Sequence, residues 1–167
     1  MTREGALAVM IAVAVVLISV LAWAWWRRTR RDSGLRAPVG EAPADAAVLS
    51  RHDSLYVATT RHGEPLERLA IRGLGFRSRA DLVVTSAGVA IDLTGQPRLF
   101  VPTAQIVEVA QATVAIDRVV ERDGLVRISW RLDGQSVVDS YFRPQDASAR
   151  VVADEISALS TQTGTNE

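Results

Sequence analysis

Residues 82–109 read LVVTSAGVAIDLTGQPRLFVPTAQIVEV, and this stretch decides the fold. Its short apolar runs are rich in β-branched residues and alternate with turn residues, a pattern typical of strands. Ser86-Ala87-Gly88 forms a short hairpin loop between the first two runs, and the glycine suits a position of positive φ. Residues 102–105 can make one helical turn before the last run. The predicted strands of this stretch are 82–85, 89–93, 98–101 and 106–111.

Similar β-type runs lie on both sides of this stretch, at 55–60, 66–72, 114–121, 125–132 and 136–142. His62-Gly63 marks the turn between the first two runs. Asp123-Gly124 is a strong hairpin signal that joins 114–121 to 125–132. Consecutive strands without intervening helices argue against a parallel βαβ sheet. They favour a mainly β fold, an antiparallel sandwich or barrel of about seven strands.

The run 125–132 alternates apolar and polar residues, so one of its faces is buried. Trp130 lies on the apolar face with Val126, Ile128 and Leu132, and we expect it to be a core residue.

The hydrophobic period changes after the last strand. Pro144 and Asp146 suit the start of a helix, and Val152, Ile156 and Leu159 recur at helical spacing. We expect a C-terminal amphipathic helix that covers the open end of the β-structure.

The composition excludes several classes of chemistry. The chain has no cysteine, and all 19 of its basic residues are arginine. Disulfides, thiolate nucleophiles and lysine Schiff bases are therefore excluded. Residues 1–31 carry a net charge of +4 and residues 50–167 one of −2, so the later part has no basic footprint for nucleic acid. We expect no nucleic-acid partner.

Gly5 to Trp26 is a run of 22 residues without a charge. As a helix it spans roughly 33 Å, which is enough to cross a bilayer core. Tryptophans end the run and arginines follow, which is typical of a membrane interface. The predicted membrane-interface residues are Trp23, Trp25, Trp26, Arg27, Arg28, Arg30 and Arg31.

A cleaved signal peptide is the alternative, but its apolar region is shorter and its basic residues come first. We therefore predict an uncleaved single-pass anchor in the inner or plasma membrane. Because the four arginines follow the span, the positive-inside rule puts the N-terminus outside and the rest of the chain in the cytoplasm.

The predicted organisation has four parts. Residues 1–31 are the anchor with its arginine cluster. Residues 32–52 form a flexible linker rich in Ala, Gly, Pro and Asp. Residues 53–160 form the β-domain with its helix, and residues 161–167 form a disordered polar tail.

The order of elements resembles the pleckstrin-homology (PH) superfold. Residues 82–109 are similar to the bacterial PH-like pattern: a strand ending in V-T, then G-V-x-I, a strand ending in V-P, and I-x-x-V. The whole layout resembles small actinobacterial single-span membrane proteins with a PH-like domain. This resemblance implies binding of lipids or proteins without an active site. The loop that matches the basic loop of lipid-binding relatives, residues 60–64, has one arginine offset by Glu64, which argues against phosphoinositide binding.

Residues 73–76 spell GLGF, the carboxylate-binding loop of PDZ domains. The helix that completes a PDZ groove is missing from the predicted order, so a glycine-assisted turn is the favoured interpretation. His52 and His62 lack metal-ligand spacing and are expected to be solvated loop residues. We predict no catalytic residue, no metal site and no cofactor.

Two functions remain open. The leading hypothesis is a membrane-anchored, non-enzymatic module whose β-domain binds a protein partner at the cytoplasmic face. The alternative is lipid or small-ligand binding by the β-domain, with PDZ-type peptide binding through residues 73–76 as a further variant.

Overall fold

The computed structural model describes residues 3–32, 34–115, 118–119, 124–132 and 136–163. The chain divides into two compact units, Met1–Gly34 and Leu35–Glu167. The first contains helix α1 (Arg3–Asp32). In its described part, the second contains β1 (Val48–Arg61), β2 (Glu64–Arg68), β3 (Ser78–Thr85), β4 (Gly88–Leu93), β5 (Leu99–Pro102), a 3₁₀ turn (Thr103–Gln105), β6 (Ile106–Ala112), β7 (Val114–Ala115), β8 (Arg118–Val119), β9 (Leu125–Arg131), β10 (Val137–Pro144) and α2 (Ala149–Thr163).

An open antiparallel sheet of eight strands forms the second unit, in the order β5-β4-β3-β1-β10-β9-β6, with β2 paired to β1 beside this path. The long strand β1 joins the two halves. Its residues 48–56 pair with β3, and its residues 54–61 pair with β10. The register shifts between Tyr56 and Ala58, and such a bulge bends a strand. The predicted mainly β antiparallel fold with a C-terminal helix is confirmed.

One hydrophobic core contains side chains from both halves of the sheet and from α2. Its largest fully buried side chains are those of Trp130, Tyr56 and Phe142. Trp130 is 1% exposed, which confirms the buried face predicted for its strand.

Helix α2 packs its apolar stripe against β6, β9, β10 and the 3₁₀ turn. Val152, Ile156 and Leu159 are all buried, as predicted. The helix begins later than expected, because Pro144 still belongs to β10. Ser148 is the N-terminal cap, and its Oγ accepts a hydrogen bond from the Val151 N–H at 3.3 Å. The helix continues to Thr163, while residues 164–167 of the predicted tail lie outside the described residues.

The segment predicted as a flexible linker, residues 32–52, is largely part of the folded unit. Strand β1 begins at Val48, and residues 38–40 run along the free edge of β5. The Pro38 carbonyl accepts the Phe100 N–H at 2.9 Å, and the Gly40 N–H donates to the Arg98 carbonyl at 3.1 Å. The composition of residues 32–52 indicated a linker because these contacts with β5 are made by backbone groups. Backbone contacts leave no pattern in the amino-acid sequence.

A cluster of charges reinforces this attachment. Arg98 forms a bidentate ion pair with Asp92, in which its Nε and Nη2 donate to the two carboxylate oxygens at 2.6 and 2.7 Å. Its Nη1 donates to Glu41 Oε2 at 2.9 Å. The carboxylate of Asp92 is the main reason why the pKa of Arg98 is raised. Residues 35–41, which we name the strap, are therefore held to β5 at both backbone and side-chain level.

The predicted hairpin of 114–121 with 125–132 is wrong in its pairing. Strand β9 pairs with β6, with Ala112 opposite Leu125. Among the residues that the structure describes, the short β7 and β8 pair with each other in a separate two-stranded sheet. Asp123, from the predicted turn, lies outside the described residues.

Candidate functional site

Helix α1 has one stretch, Glu4–Arg27, that is long and apolar enough to cross a membrane. None of the window that defines it is buried against other parts of the chain. A signal sequence passes the same test of length and composition. The hydroxyl of Ser19 is satisfied within the helix, because it donates to the Val15 carbonyl at 2.8 Å.

The aromatic end of this stretch carries paired rings and guanidinium groups. Trp23, Trp25 and Trp26 are all exposed. The Arg27 guanidinium lies 5.5 Å from the centre of the Trp23 ring, and that of Arg30 lies 4.1 Å from the Trp26 ring. Each pair is four residues apart, the spacing at which helix side chains meet.

The side chains of Arg28 and Arg31 lie outside the described residues. Among the predicted interface residues that are described, the structure brings together Trp23 with Arg27 and Trp26 with Arg30. Amphipathic side chains of this kind suit the boundary between lipid and water.

Residues 73–76, the GLGF sequence, form a turn that leads into β3. Leu74 is buried, and its carbonyl accepts the hydroxyl hydrogen of Tyr56 at 2.8 Å. Gly73 has φ 90°, a conformation that favours glycine. Phe76, two residues beyond Leu74, is 88% exposed. The turn is therefore fixed to the core at Leu74 and presents Phe76 to solvent.

Burial raises the pKa of Tyr56 to about 12. The Tyr56 hydroxyl therefore stays protonated at neutral pH and remains a donor for the Leu74 carbonyl. Its oxygen also lies 2.9 Å from the hydroxyl of Thr59, which is bonded to Ser140 at 2.8 Å. The turn is thus connected to a buried polar network in the middle of the sheet.

A groove of about 500 Å³ lies beside this turn. The polar and aromatic residues that line it are Arg72, Phe76, Arg77, Ser78, Thr94 and Gln96, and no aspartate or glutamate of the described chain is among the lining residues. Arg72 and Arg77 are exposed. Within the described residues, neither guanidinium forms an ion pair. The groove therefore has a positive lining beside an exposed aromatic ring.

The groove is not a PDZ-type site. The turn at 73–76 leads into the β3–β4 hairpin, and the long helix of the second unit, α2, comes last in its described part. The groove is formed instead by this turn and the loop between β4 and β5, which contributes Thr94 and Gln96. Sequence reasoning found the glycines but missed the arginines on either side of them. The signal was present as R-GLGF-R at 72–77.

His52 is buried, so the prediction of a solvated loop residue is wrong for it. Its Nε2 lies 2.8 Å from Glu155 Oε2, and its Nδ1 lies 3.8 Å from Asp146 Oδ1. The Ser50 hydroxyl donates to the same Glu155 oxygen at 2.6 Å. These bonds lower the pKa of Glu155, Ser50 being the larger cause and His52 the second. The cluster joins β1 to α2.

His62 is exposed in the turn between β1 and β2, as predicted for it, and it is bonded to the fully buried Asp139. His62 Nδ1 lies 2.8 Å from Asp139 Oδ1, the Ser129 hydroxyl donates to the same oxygen at 2.7 Å, and the Gly63 N–H donates to Oδ2 at 3.1 Å. These bonds compensate the burial of the carboxylate. Because Ser129 is bonded to the aspartate and not to the histidine, the three side chains lack the order of a catalytic triad. In the described part of the chain, no group of three or more His, Asp or Glu could hold a metal ion.

Comparison with known proteins identifies a family. The model of a family described as bacterial PH domain-like matches residues 35–157. Among curated proteins, none matches the chain. One solved structure to which the chain is similar is the crystal structure of the C-terminal domain of an unknown protein from Leishmania infantum. The TM-score is 0.45 with 8% identity, over 83% of this chain and 97% of that one. The family match begins at residue 35, where the strap begins.

Proposed function

We propose a function on the premise that this chain belongs to the bacterial PH domain-like family, which it matches over residues 35–157. It is a membrane-anchored, non-enzymatic interaction module. Helix α1 holds the protein in the inner or plasma membrane with the N-terminus outside, and the β-domain binds a protein partner at the cytoplasmic face.

The observation that carries this proposal is Phe76. Phe76 is 88% exposed at the end of a turn fixed to the core, and a partner that covers its ring removes apolar surface from water, which stabilises the complex. Aromatic and arginine side chains together are the usual centre of protein interfaces, and Phe76 has Arg72 and Arg77 beside it. These features support the groove as the contact surface.

Orientation is supported by the charges that follow the span. The Arg27 and Arg30 guanidinium groups lie over tryptophan rings at the end of the apolar stretch, where an interfacial belt belongs. Because cytoplasmic flanks carry the arginine excess, this end of α1 is assigned to the cytoplasm.

The experiment is photo-crosslinking from position 76 in the full chain in its own membranes. A benzophenone analogue of phenylalanine replaces Phe76, which keeps an aromatic ring at the site. The same analogue at Arg143, an exposed position of β10, is the control. We expect protein adducts from position 76 that position 143 does not give. Protein adducts that are equal at both positions, or absent at both, would refute the proposal.

The alternative, lipid or small-ligand binding, is favoured by one feature, the positive lining of the groove. It predicts lipid adducts at position 76 in place of protein adducts, so the same experiment separates the two functions.

A further inference from the structure

We propose that the groove beside residues 71–78 recognises an acidic segment of a partner protein. The carboxylates of that segment pair with Arg72 and Arg77, and an apolar side chain of the segment covers Phe76. This inference rests on the proposed function, because it takes the partner to be a protein, and it assigns the chemistry of recognition.

The charge of the groove supports an acidic ligand. Some arginines of the domain are neutralised by the chain's own carboxylates, as in Arg61–Glu67 at 3.2 Å and Arg127–Glu108 at 2.6 Å. Arg72 and Arg77 have no such ion pair within the described residues, and the groove has no acidic lining there. As far as the described residues go, their charge is therefore available, and a guanidinium binds a carboxylate through two parallel hydrogen bonds.

The chain beside the groove is held rigidly. Leu74 is buried, its N–H donates to the Ile71 carbonyl at 3.0 Å, and its own carbonyl is held by Tyr56. Ile71 is buried as well, so the chain is fixed on both sides of Arg72 and Gly73. A segment of a binding groove that is already ordered loses little conformational entropy when a ligand binds.

The exposed Phe76 ring requires a ligand that also has an apolar group. A free inorganic anion would use the guanidinium groups but leave the Phe76 ring in water. The ligand must therefore bring apolar surface together with negative charge. The groove volume of about 500 Å³ accommodates a few side chains, and Ser78, Thr94 and Gln96 can bond to a peptide backbone.

A protein segment fits these features better than an anionic lipid surface does. Recognition of anionic lipid surfaces uses clusters of about four to eight basic residues. The groove lining contains two, Arg72 and Arg77. Two arginines that flank one aromatic ring match the composition of a protein interface centre.

The test is selection from a displayed library of random peptides against the full chain in lipid nanodiscs, after removal of peptides that bind empty nanodiscs. Three proteins are compared: the unchanged chain, the double variant Arg72→Glu/Arg77→Glu, and the control Arg51→Glu/Arg143→Glu. The control changes two exposed arginines of β1 and β10 that do not line the groove.

We expect the unchanged chain and the control to enrich peptides with aspartate or glutamate next to an apolar residue. We expect the Arg72→Glu/Arg77→Glu variant to lose acidic peptides at least tenfold and to enrich basic ones. Phe76→Ala should remove the preference for the apolar residue. Equal thermal melting of all variants, expected because the changed residues are exposed, shows that each is folded.

Failure to enrich acidic peptides, or their enrichment by the Arg72→Glu/Arg77→Glu variant, overturns the inference. Binding to vesicles with 30% phosphatidylglycerol that depends on Arg72 and Arg77, without acidic peptide enrichment, assigns the groove to a lipid. If position 76 still gives protein adducts while the library shows no acidic preference, the proposed function stands and only the acidic chemistry is rejected.

Discussion

His52 Nε2 lies 2.8 Å from Glu155 Oε2, and this bond joins the sheet to the C-terminal helix outside the hydrophobic core. The two residues belong to β1 and α2 and are 103 positions apart in the chain. Ser50 donates to the same carboxylate, so Glu155 is held by two side chains of one strand.

The first prediction concerns the pH dependence of this contact. The pKa of Glu155 is lower in the folded chain than in the unfolded one, so the unfolded chain binds a proton first as pH falls. The stabilisation is therefore complete above the ordinary carboxyl pKa of about 4.3 and is lost as pH falls through the lower folded value. Because the Glu155 carboxylate is 38% exposed and screened by water, Glu155→Gln should cost no more than about 1 kcal/mol at pH 7, and the difference should shrink at pH 3.

Urea unfolding of the unchanged chain and of Glu155→Gln at pH 7, 5 and 3 measures this difference. Asp154→Asn is the matched control. Asp154 is exposed, and its ion pair with the exposed Arg150 is long, at 3.8 Å. Its effect should be under about 0.5 kcal/mol at each pH. A cost of Glu155→Gln that is the same at pH 3 and pH 7 contradicts the prediction.

The second prediction concerns Trp130, which is fully buried and donates its Nε1–H to the Ser140 hydroxyl at 2.9 Å. Trp130→Ala should destabilise the domain by about 3–5 kcal/mol, because it leaves a large cavity and removes one of the hydrogen bonds of the Ser140 hydroxyl. Arg131→Ala, on the opposite face, should cost less than about 0.5 kcal/mol. Chemical denaturation measures both, and equal costs would mean that the register of β9 is wrong.

The local parts of the fold are predictable from the sequence because local signals determine them. Residues 82–109 form strands, hairpin and 3₁₀ turn where their pattern indicates. The alternation around Trp130 identifies the face that packs into the core, but Leu125 and Ser129 on the other face are buried too. The pairing of β6 with β9 was not predictable. The Asp123-Gly124 signal indicates a turn, but the strand that pairs with β9 is β6, and this pairing joins residues that are not neighbours in the sequence.

The site is harder to predict, because its parts are distant in the sequence. The arginines that flank GLGF are visible, but Thr94 and Gln96 reach the groove only through the folded sheet. His62 and Asp139, 77 positions apart, likewise show no shared pattern in the sequence. Burial of a histidine or a carboxylate depends on such partners. The interpretation as a solvated loop residue is therefore wrong for His52 and correct for His62, whose bond to Asp139 it did not predict.

The third prediction concerns Gly88, the glycine of the predicted hairpin loop. It has φ 152°, and a Cβ built there contacts the Val101 carbonyl oxygen and comes within 2.8 Å of Pro102 Cα. Gly88→Ala should therefore push β4 away from β5 and cost more than about 2 kcal/mol. Gly95, with φ 75° and nothing within 4 Å of a built Cβ, is the matched control for backbone strain alone.

Gly95→Ala should cost about 1 kcal/mol, since a left-handed conformation is the only penalty. Thermal unfolding of both variants gives the comparison. Equal costs for the two glycines would show that strain, and not the close approach of β5, sets the need for glycine at position 88.

The fourth prediction concerns topology. A reporter that is active only in the cytoplasm, fused after Glu167, should be active, and a reporter that needs the outside compartment should be inactive. The reason is the cluster of four arginines between residues 27 and 31. Replacing all four with glutamine should produce a mixed orientation. Activity of the second reporter in the unchanged chain would reverse the topology, and a cleaved N-terminus would identify a signal sequence.

The last prediction concerns helix α2. An isolated helix of 15 residues is marginal in water, so α2 owes its stability to the stripe that it buries on β6, β9 and β10. Ile156→Ala should cost about 2–5 kcal/mol, whereas Val151→Ala, at a position 46% exposed, should cost under about 1 kcal/mol.

Removing the helix tests the same dependence more directly. A protein of residues 35–147 would expose the apolar strand residues that α2 covers, and we expect it to aggregate or to lose cooperative melting. A protein of residues 35–163 keeps the stripe and the Ser148 cap, and should be soluble and melt in one transition. Calorimetry of the two compares them. If the shorter protein melts cooperatively at the same temperature, the burial of Val152, Ile156 and Leu159 contributes nothing to the sheet, and α2 is a separate element.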